Sequence, residues 1–425
     1  MKSETLFKKT LIAQFVSGVL LATSTGLSIA DEYHYNNMLI GDRASGLGGA
    51  YTAISDDAAG LFYNPAGIVY SEDLKLSASV NALNTSSMTY KGVLGSGDWV
   101  RESSSFIPNF FGITQKLGNG YFGFSYAVTD ADVENQDSRF TNVPGAPLFV
   151  VNINNRDNTT KIGPSYAVAL TDTLNFGVTL YLHMREKELV NNQWIRLSDD
   201  TYEWSSNYFE TNETGINPIL GLMWSPTDEI SVGVSMRKTF ILTSDAKSQR
   251  TCTSDINNSA AQAALCIPTA GSPQDPVFAS TDSERELPLN IRVGIAYFPT
   301  NRFLMDLDLS YYEATSDDFF DTQETVNIAA GLEYYYNENW AFRGGIYTNN
   351  ANTPDIVSGQ TNQYDHVDLT GFSLSLTRFT KSSSVTGGFT YSSGEGSAQV
   401  IAGSTEIQDL THSTQTFYLS TSYQF

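Results

Sequence analysis

"LNFGVTLYLHMR", residues 174–185, is the stretch whose reading decides the fold. Phe176, Val178, Leu180, Leu182 and Met184 fall on one side of an extended chain, and Asn175, Gly177, Thr179, Tyr181, His183 and Arg185 on the other. Successive side chains of a strand point to opposite faces, so this is a strand with one apolar and one polar face. A soluble sandwich would have to cover the apolar face with a second sheet; a membrane barrel would turn it to lipid.

The same division returns at 73–82, 230–238, 290–298, 303–312 and 371–379, and the connections choose between the two architectures. Very short turns close at "GNG" (118–120), "TDT" (171–173), "PTDE" (226–229), "TNR" (300–302), "NEN" (337–339) and "TKS" (380–382). Long polar stretches lie between them, near 84–106, 131–159, 186–213, 241–285, 314–325, 350–366 and 393–411. Because antiparallel strands reverse direction, strict alternation puts every short turn at one end and every long loop at the other. Outer-membrane barrels have that asymmetry, with short periplasmic turns and long extracellular loops. The pattern predicts an all-β fold, a transmembrane antiparallel barrel of about fourteen strands over 72–425. The last strand places Phe417, Leu419, Thr421, Tyr423 and Phe425 on one face.

The amino terminus fits export. Lys2, Lys8 and Lys9 precede the apolar run "LIAQFVSGVLLA" and the small-residue site Ser28-Ile29-Ala30, so residues 1–30 read as a signal peptide cut before Asp31. No stretch reaches the ~20 apolar residues of a transmembrane helix. The formal net charge is -22, which makes nucleic acid an unsuitable partner, since phosphates reward clustered Lys and Arg. Cys252 and Cys266 are the only cysteines, and in an exported chain they read as one loop disulfide, worth about 3 kcal/mol in the chain-entropy picture.

Residues 31–71 do not alternate. They are rich in Gly and small residues, with Pro65 among them, and irregular backbone cannot face lipid with its polar groups unpaired. They are expected to fill the lumen as a hatch. The run "GDRASGLGGAYTAISDDAAGLFYNPAGIVY" (41–70), with Asn64-Pro65-Ala66 and the preceding Asp56-Asp57, resembles the FadL-type family of outer-membrane transporters for long-chain fatty acids and other hydrophobic molecules. The resemblance implies passive passage of a hydrophobic solute captured by extracellular loops and released sideways through a gap in the wall, with Asn64-Pro65-Ala66 near that gap. It also implies a monomer in contact with lipid and lipopolysaccharide, and no cofactor. Two other readings of the same strands are a non-transport surface anchor or secretion partner, and a general porin.

Lumen-facing charges are the next candidates. Lys75, Lys161, Arg185, Arg237, Arg292 and Arg343 stand against Asp306, Asp308 and Glu333. An internal ion-pair lattice bracing the hatch accounts for most of them, and one or two cations remain for a substrate carboxylate, with Arg292 and Arg343 preferred because glycines beside them leave room. Gly163-Pro164 weakens one strand and "AVTDAD" (127–132) ends its neighbour; an ordinary bulge explains both, while the gap that the resemblance implies is expected between the third and fourth strands, at Thr129, Asp130, Gly163 and Pro164, with Pro218 and Pro288 as competing positions.

Enzyme readings are weak. The histidines at 34, 183, 366 and 412 have no metal-ligand spacing, and no Gly-x-Ser-x-Gly elbow is present. Ser413 adjoins His412 but points to the opposite face, against a lipase dyad. "GLGGAYT" lacks the Lys-Ser/Thr of a phosphate loop. Acidic stretches at 130–137 and 316–321 read as solvated loops ahead of calcium sites.

Overall fold

The computed structural model describes residues 32–71, 75–93, 97–141, 143, 146–254, 277–281, 285–317, 321–401 and 403–424. The signal-like segment, Cys266 and Phe425 lie outside them. Fourteen wall strands form a closed antiparallel ring among these residues. In chain order they are β1 (Lys75–Gly92), β2 (Gly97–Leu117), β3 (Gly120–Phe140), β4 (Leu148–Ala169), β5 (Leu174–Arg196) and β6 (Tyr202–Thr227). Next comes β7, made of Ile230–Arg237 and Phe240–Ser254 and bent at Lys238-Thr239. There follow β8 (Asn290–Thr300), β9 (Phe303–Tyr312), β10 (Thr325–Asn337), β11 (Trp340–Asn349), β12 (Leu369–Phe379), β13 (Ser383–Ala398) and β14 (Gln408–Gln424). Closure is made by β1 against β14, from Lys75↔Gln424 to Tyr90↔Leu410.

The two faces of 174–185 separate as the alternation requires. Leu180 and Leu182 are exposed on the outer surface, whereas Asn175, Thr179, Tyr181, His183 and Arg185 are buried inside. On β9, Met305, Leu307 and Leu309 point out and Asp306, Asp308 and Ser310 in. In water such an apolar belt would be costly; facing hydrocarbon it is the ordinary outer surface of a membrane barrel.

Several stretches expected as long loops are strand. β2 to β6 run 21 to 26 residues, against 10 to 13 for β8 to β11, so one half of the wall rises well beyond the other. The outer face of the extensions is largely polar, as in "NINNRDNTT", and a strand outside the bilayer has no reason to present alternate apolar residues to its surroundings. At that end Tyr90, Trp99, Phe149, Ile195, Val367, Ile401 and Leu410 gather into an apolar core that closes over the mouth.

Residues 32–71 carry no strand and lie inside the ring. Short helices at Asp42–Gly46 and Gly60–Tyr63 and a 3-10 turn at Pro65–Tyr70 build the segment. Ile40, Leu47, Tyr51, Ile54, Phe62 and Tyr63 pack with the wall residues Phe110, Tyr181, Ile219 and Leu304. Three glycine pairs opposed across neighbouring strands receive its backbone: Gly177↔Gly221, Gly294↔Gly233 and Gly331↔Gly345. A Cβ on Gly233 would fall 2.0 Å from the Thr52 carbonyl oxygen, and one on Gly345 2.3 Å from the Leu47 carbonyl carbon. These glycines exist for close backbone approach.

Candidate functional site

Polar clamps hold the hatch to the wall around the ring. Asp308 Oδ2 accepts from Tyr51 N (3.0 Å), Thr52 N (2.9 Å) and Thr52 Oγ1 (2.6 Å). Glu333 lies between two guanidinium groups, Arg43 Nε at 2.8 Å and Arg343 Nε at 2.6 Å, and Arg43 also reaches Asp56. Arg343, expected as a substrate contact, is thus part of the bracing lattice, facing the side of the hatch where Asp42, Asp56 and the 380–384 turn lie.

Asn64 caps the 3-10 turn: its Oδ1 accepts from Ala66 N at 3.1 Å, while Nδ2 donates to Thr52 O at 2.8 Å and to the wall carbonyl of Leu222 at 3.0 Å. Pro65 follows at the first position of the turn, where no N–H is needed. The triplet rests on β5 and β6 at Gly177 and Gly221, which corrects the expectation that it faces a side exit.

The wall does part, at another seam than expected. β3 and β4 pair without loss at Phe124↔Pro164 and Ser125↔Gly163, with one bulge between Val128 and Asp130. The N–H that Pro164 lacks is felt on the other side, where the β4–β5 pairing skips Gly163 and Pro164 between Ile162↔Leu182 and Ser165↔Thr179 without changing register. The parted seam is β2–β3, which pairs at Phe110↔Ala127 and below, and again only at Ser103↔Glu134. Residues 104–109 and 128–133 form no register pairs between them, a window of about 20 Å along the strand at ~3.3 Å per residue. Pro108 removes a donor there, and both strands carry irregularities beside the window, a bulge at Thr129 against β4 and register shifts around Val80–Asn84 between β1 and β2. Thr129 and Asp130 lie in this unpaired stretch of β3, with β2 opposite them in place of Gly163 and Pro164. Behind it stand Met38 and Ile40 of the hatch, packed with Ile107, Phe110 and Val128, and Asn109 Nδ2 donates to Leu39 O at 3.1 Å.

Above the hatch lies a chamber of about 200 Å³ bordered by Met38, Leu39, Phe62, Tyr63, Thr129, Asp130, Lys161, His183, Arg237, Arg292 and Tyr312. Arg185, at its rim, is neutralised by Asp157 (2.5 Å) and Glu32, and Arg285 by Glu213 (3.1 Å). Lys161, Arg237 and Arg292 have no acidic partner within ion-pair distance among the described residues. Lys161 Nζ donates to Asn217 Oδ1 at 3.2 Å. Arg237 donates to Phe62 O at 2.8 Å and lies over the Phe62 ring at 4.6 Å. Arg292 donates to Asn36 Oδ1 at 3.0 Å and lies over Tyr63 at 5.3 Å. Buried cations are stable when paired; Asp308, engaged by Tyr51 and Thr52, is the carboxylate that acts on Arg292 from beyond ion-pair distance, so the three cations attract an anion entering beside Phe62, Tyr63 and Tyr312. The sequence singled out Arg292 but not Lys161 or Arg237 above the rest. Parity marked all of them as inward, and only the fold separates those with acidic partners from those without.

The ring, its apolar belt and its filled lumen define the class: a plugged β-barrel of the bacterial outer membrane. No family model and no curated protein matches the chain. Among solved structures it is similar to a Pseudomonas aeruginosa FadL homologue (14% identity, TM-score 0.64, 91% of this chain and 98% of that one). It is also similar to the Pseudomonas putida toluene transporter TodX (15%, 0.63, 90% and 97%) and the Ralstonia pickettii toluene transporter TbuX (15%, 0.60, 91% and 98%). The fold of this chain is therefore the FadL type.

Proposed function

We propose that the protein is a passive outer-membrane channel for hydrophobic molecules with an acidic head group, long-chain fatty acids being the plainest case, released sideways through the β2–β3 window. The observation that carries this reading is the trio Lys161, Arg237 and Arg292, left without carboxylate partners beside aromatic rings. A neutral hydrocarbon would leave those charges unanswered, whereas a carboxylate meets two arginines that can each bind both of its oxygens. The filled lumen speaks against a general porin, and Met38, Ile40 and Phe110 at the window suit an apolar tail on its way to lipid. In the absence of any energy source in the outer membrane, passage is downhill.

Cells lacking and carrying the protein separate the readings. Uptake of oleate should depend on the protein and exceed that of oleyl alcohol, while liposomes containing it should not swell in small sugars. Sugar-driven swelling would make it a porin, and protein-independent oleate uptake would remove the transport reading.

A further inference from the structure

Above the window the β2–β3 seam is held by side chains in place of a backbone ladder. Both strands stay laddered to their other neighbours, β2 to β1 as far as Trp99↔Tyr90 and β3 to β4 as far as Phe140↔Phe149. Between β2 and β3, however, Ser103↔Glu134 is the single register pair beyond Phe110↔Ala127 among the described residues. The central tie is a buried two-pronged ion pair: Arg101 Nε to Glu134 Oε1 at 2.9 Å and Arg101 Nη2 to Glu134 Oε2 at 2.6 Å. Gln136 reaches across to Val100 O and to Glu102 N, and Trp99 Nε1 donates to Ser138 Oγ at 3.2 Å. Arg101 also lies over Trp99 at 5.4 Å and donates to Tyr90 OH, which in turn donates to Asp365. A ladder is a continuous row of bonds that opens only cooperatively, but a seam held by a few side-chain ties around one buried ion pair loosens when that pair breaks.

We infer that the Arg101–Glu134 clasp sets the upper limit of the β2–β3 opening and thereby the girth of solute that passes. These two are positioning residues: neither borders the cationic chamber, and they act through the separation of the strand edges. The inference rests on the lateral-exit reading above.

The test uses the full chain in outer membranes, with oleate as a slim probe and a pyrene-terminated fatty acid as a bulky one. Arg101→Gln and Glu134→Gln should each raise bulky uptake relative to oleate several-fold, and the exchange Arg101→Glu with Glu134→Arg should return the ratio towards wild type. Spin labels at Glu102 and Asn135, on the outer face across the same seam, should move apart in the single variants and come back together in the exchange. A cysteine pair replacing Ser105 and Asp132, which the Ser103↔Glu134 register sets at corresponding positions across the window, should block both probes until reduced, judged against wild type under the same reductant. An unchanged ratio and label distance in the single variants, with the cysteine lock still blocking, would overturn the clasp and leave lateral exit standing. A lock that forms without slowing either probe would remove lateral exit and the clasp with it.

Discussion

Gly177 and Gly221 face each other across the β5–β6 ladder, and the Pro65 peptide rests on them: a Cβ on Gly177 would lie 2.4 Å from Pro65 C, and one on Gly221 2.1 Å from Asn64 Oδ1. Leucine at 177 should unseat the 3-10 turn and open a water path past the hatch, read as single-channel conductance and as swelling of liposomes in small sugars. Alanine at Gly387, where an added Cβ meets nothing within 4 Å, should leave the barrel sealed. A closed, fully folded Gly177→Leu barrel would deny the glycine pair its role as a seat.

Arg292 and Arg343 are both buried on the inner wall, yet they answer to different partners. Arg292→Gln or Arg237→Gln should lower oleate uptake by about tenfold while sparing oleyl alcohol, the size expected from losing one charge-assisted hydrogen bond. Arg343→Gln leaves Glu333 with Arg43 alone, and breaking a buried ion pair costs about 3 kcal/mol. Its effect should appear as a lower melting temperature and a leak, without discrimination between acid and alcohol. Equal losses for acid and alcohol in the Arg292 and Arg237 variants would put the head-group contact elsewhere.

The barrel was legible because lipid on one side and a polar lumen on the other force period two over most wall strands, and because turn length reports which end is which. The tall extensions were not, since a strand with no lipid on its outer face lacks the apolar half of the alternation. The window was half legible. Thr129 and Asp130 mark a bulge, but which edge of a bulged strand loses its ladder depends on the neighbour, and Pro108 drew no attention beside the more conspicuous Gly163-Pro164. The Asn64-Pro65-Ala66 turn was read correctly in its chemistry and wrongly in its address, because sequence gives a turn's shape and not the strand it rests on.

Cys252 is buried on the inner face of β7 opposite Ser205 of β6, and we expect it to pair with Cys266. Non-reducing peptide mass spectrometry should recover the two as one cross-linked species. Replacing both by serine should cost about 3 kcal/mol or less, loop closure being the main contribution, with uptake of oleate retained. Two alkylatable thiols in the native protein would refute the pairing.

Glu203, near the outer end of β6 and beyond the bilayer, is fully buried, and neither carboxylate oxygen has a hydrogen-bond partner among the described residues. Burial pushes its carboxyl up from 4.5 to about 7, with the Arg250 charge opposing. The folded protein therefore keeps a proton that the unfolded chain releases near pH 4.5, so this group lowers stability as pH rises from about 4.5 to about 7 and holds it lowered above that. Glu203→Gln, which mimics the protonated form, should leave the melting temperature in detergent unchanged at pH 4 and raise it at pH 8. The gain is bounded at about 3.5 kcal/mol by ~1.4 kcal/mol per pKa unit. A melting difference that is the same at both pH values would mean that Glu203 keeps its charge in the fold, held by a partner that burial alone does not supply.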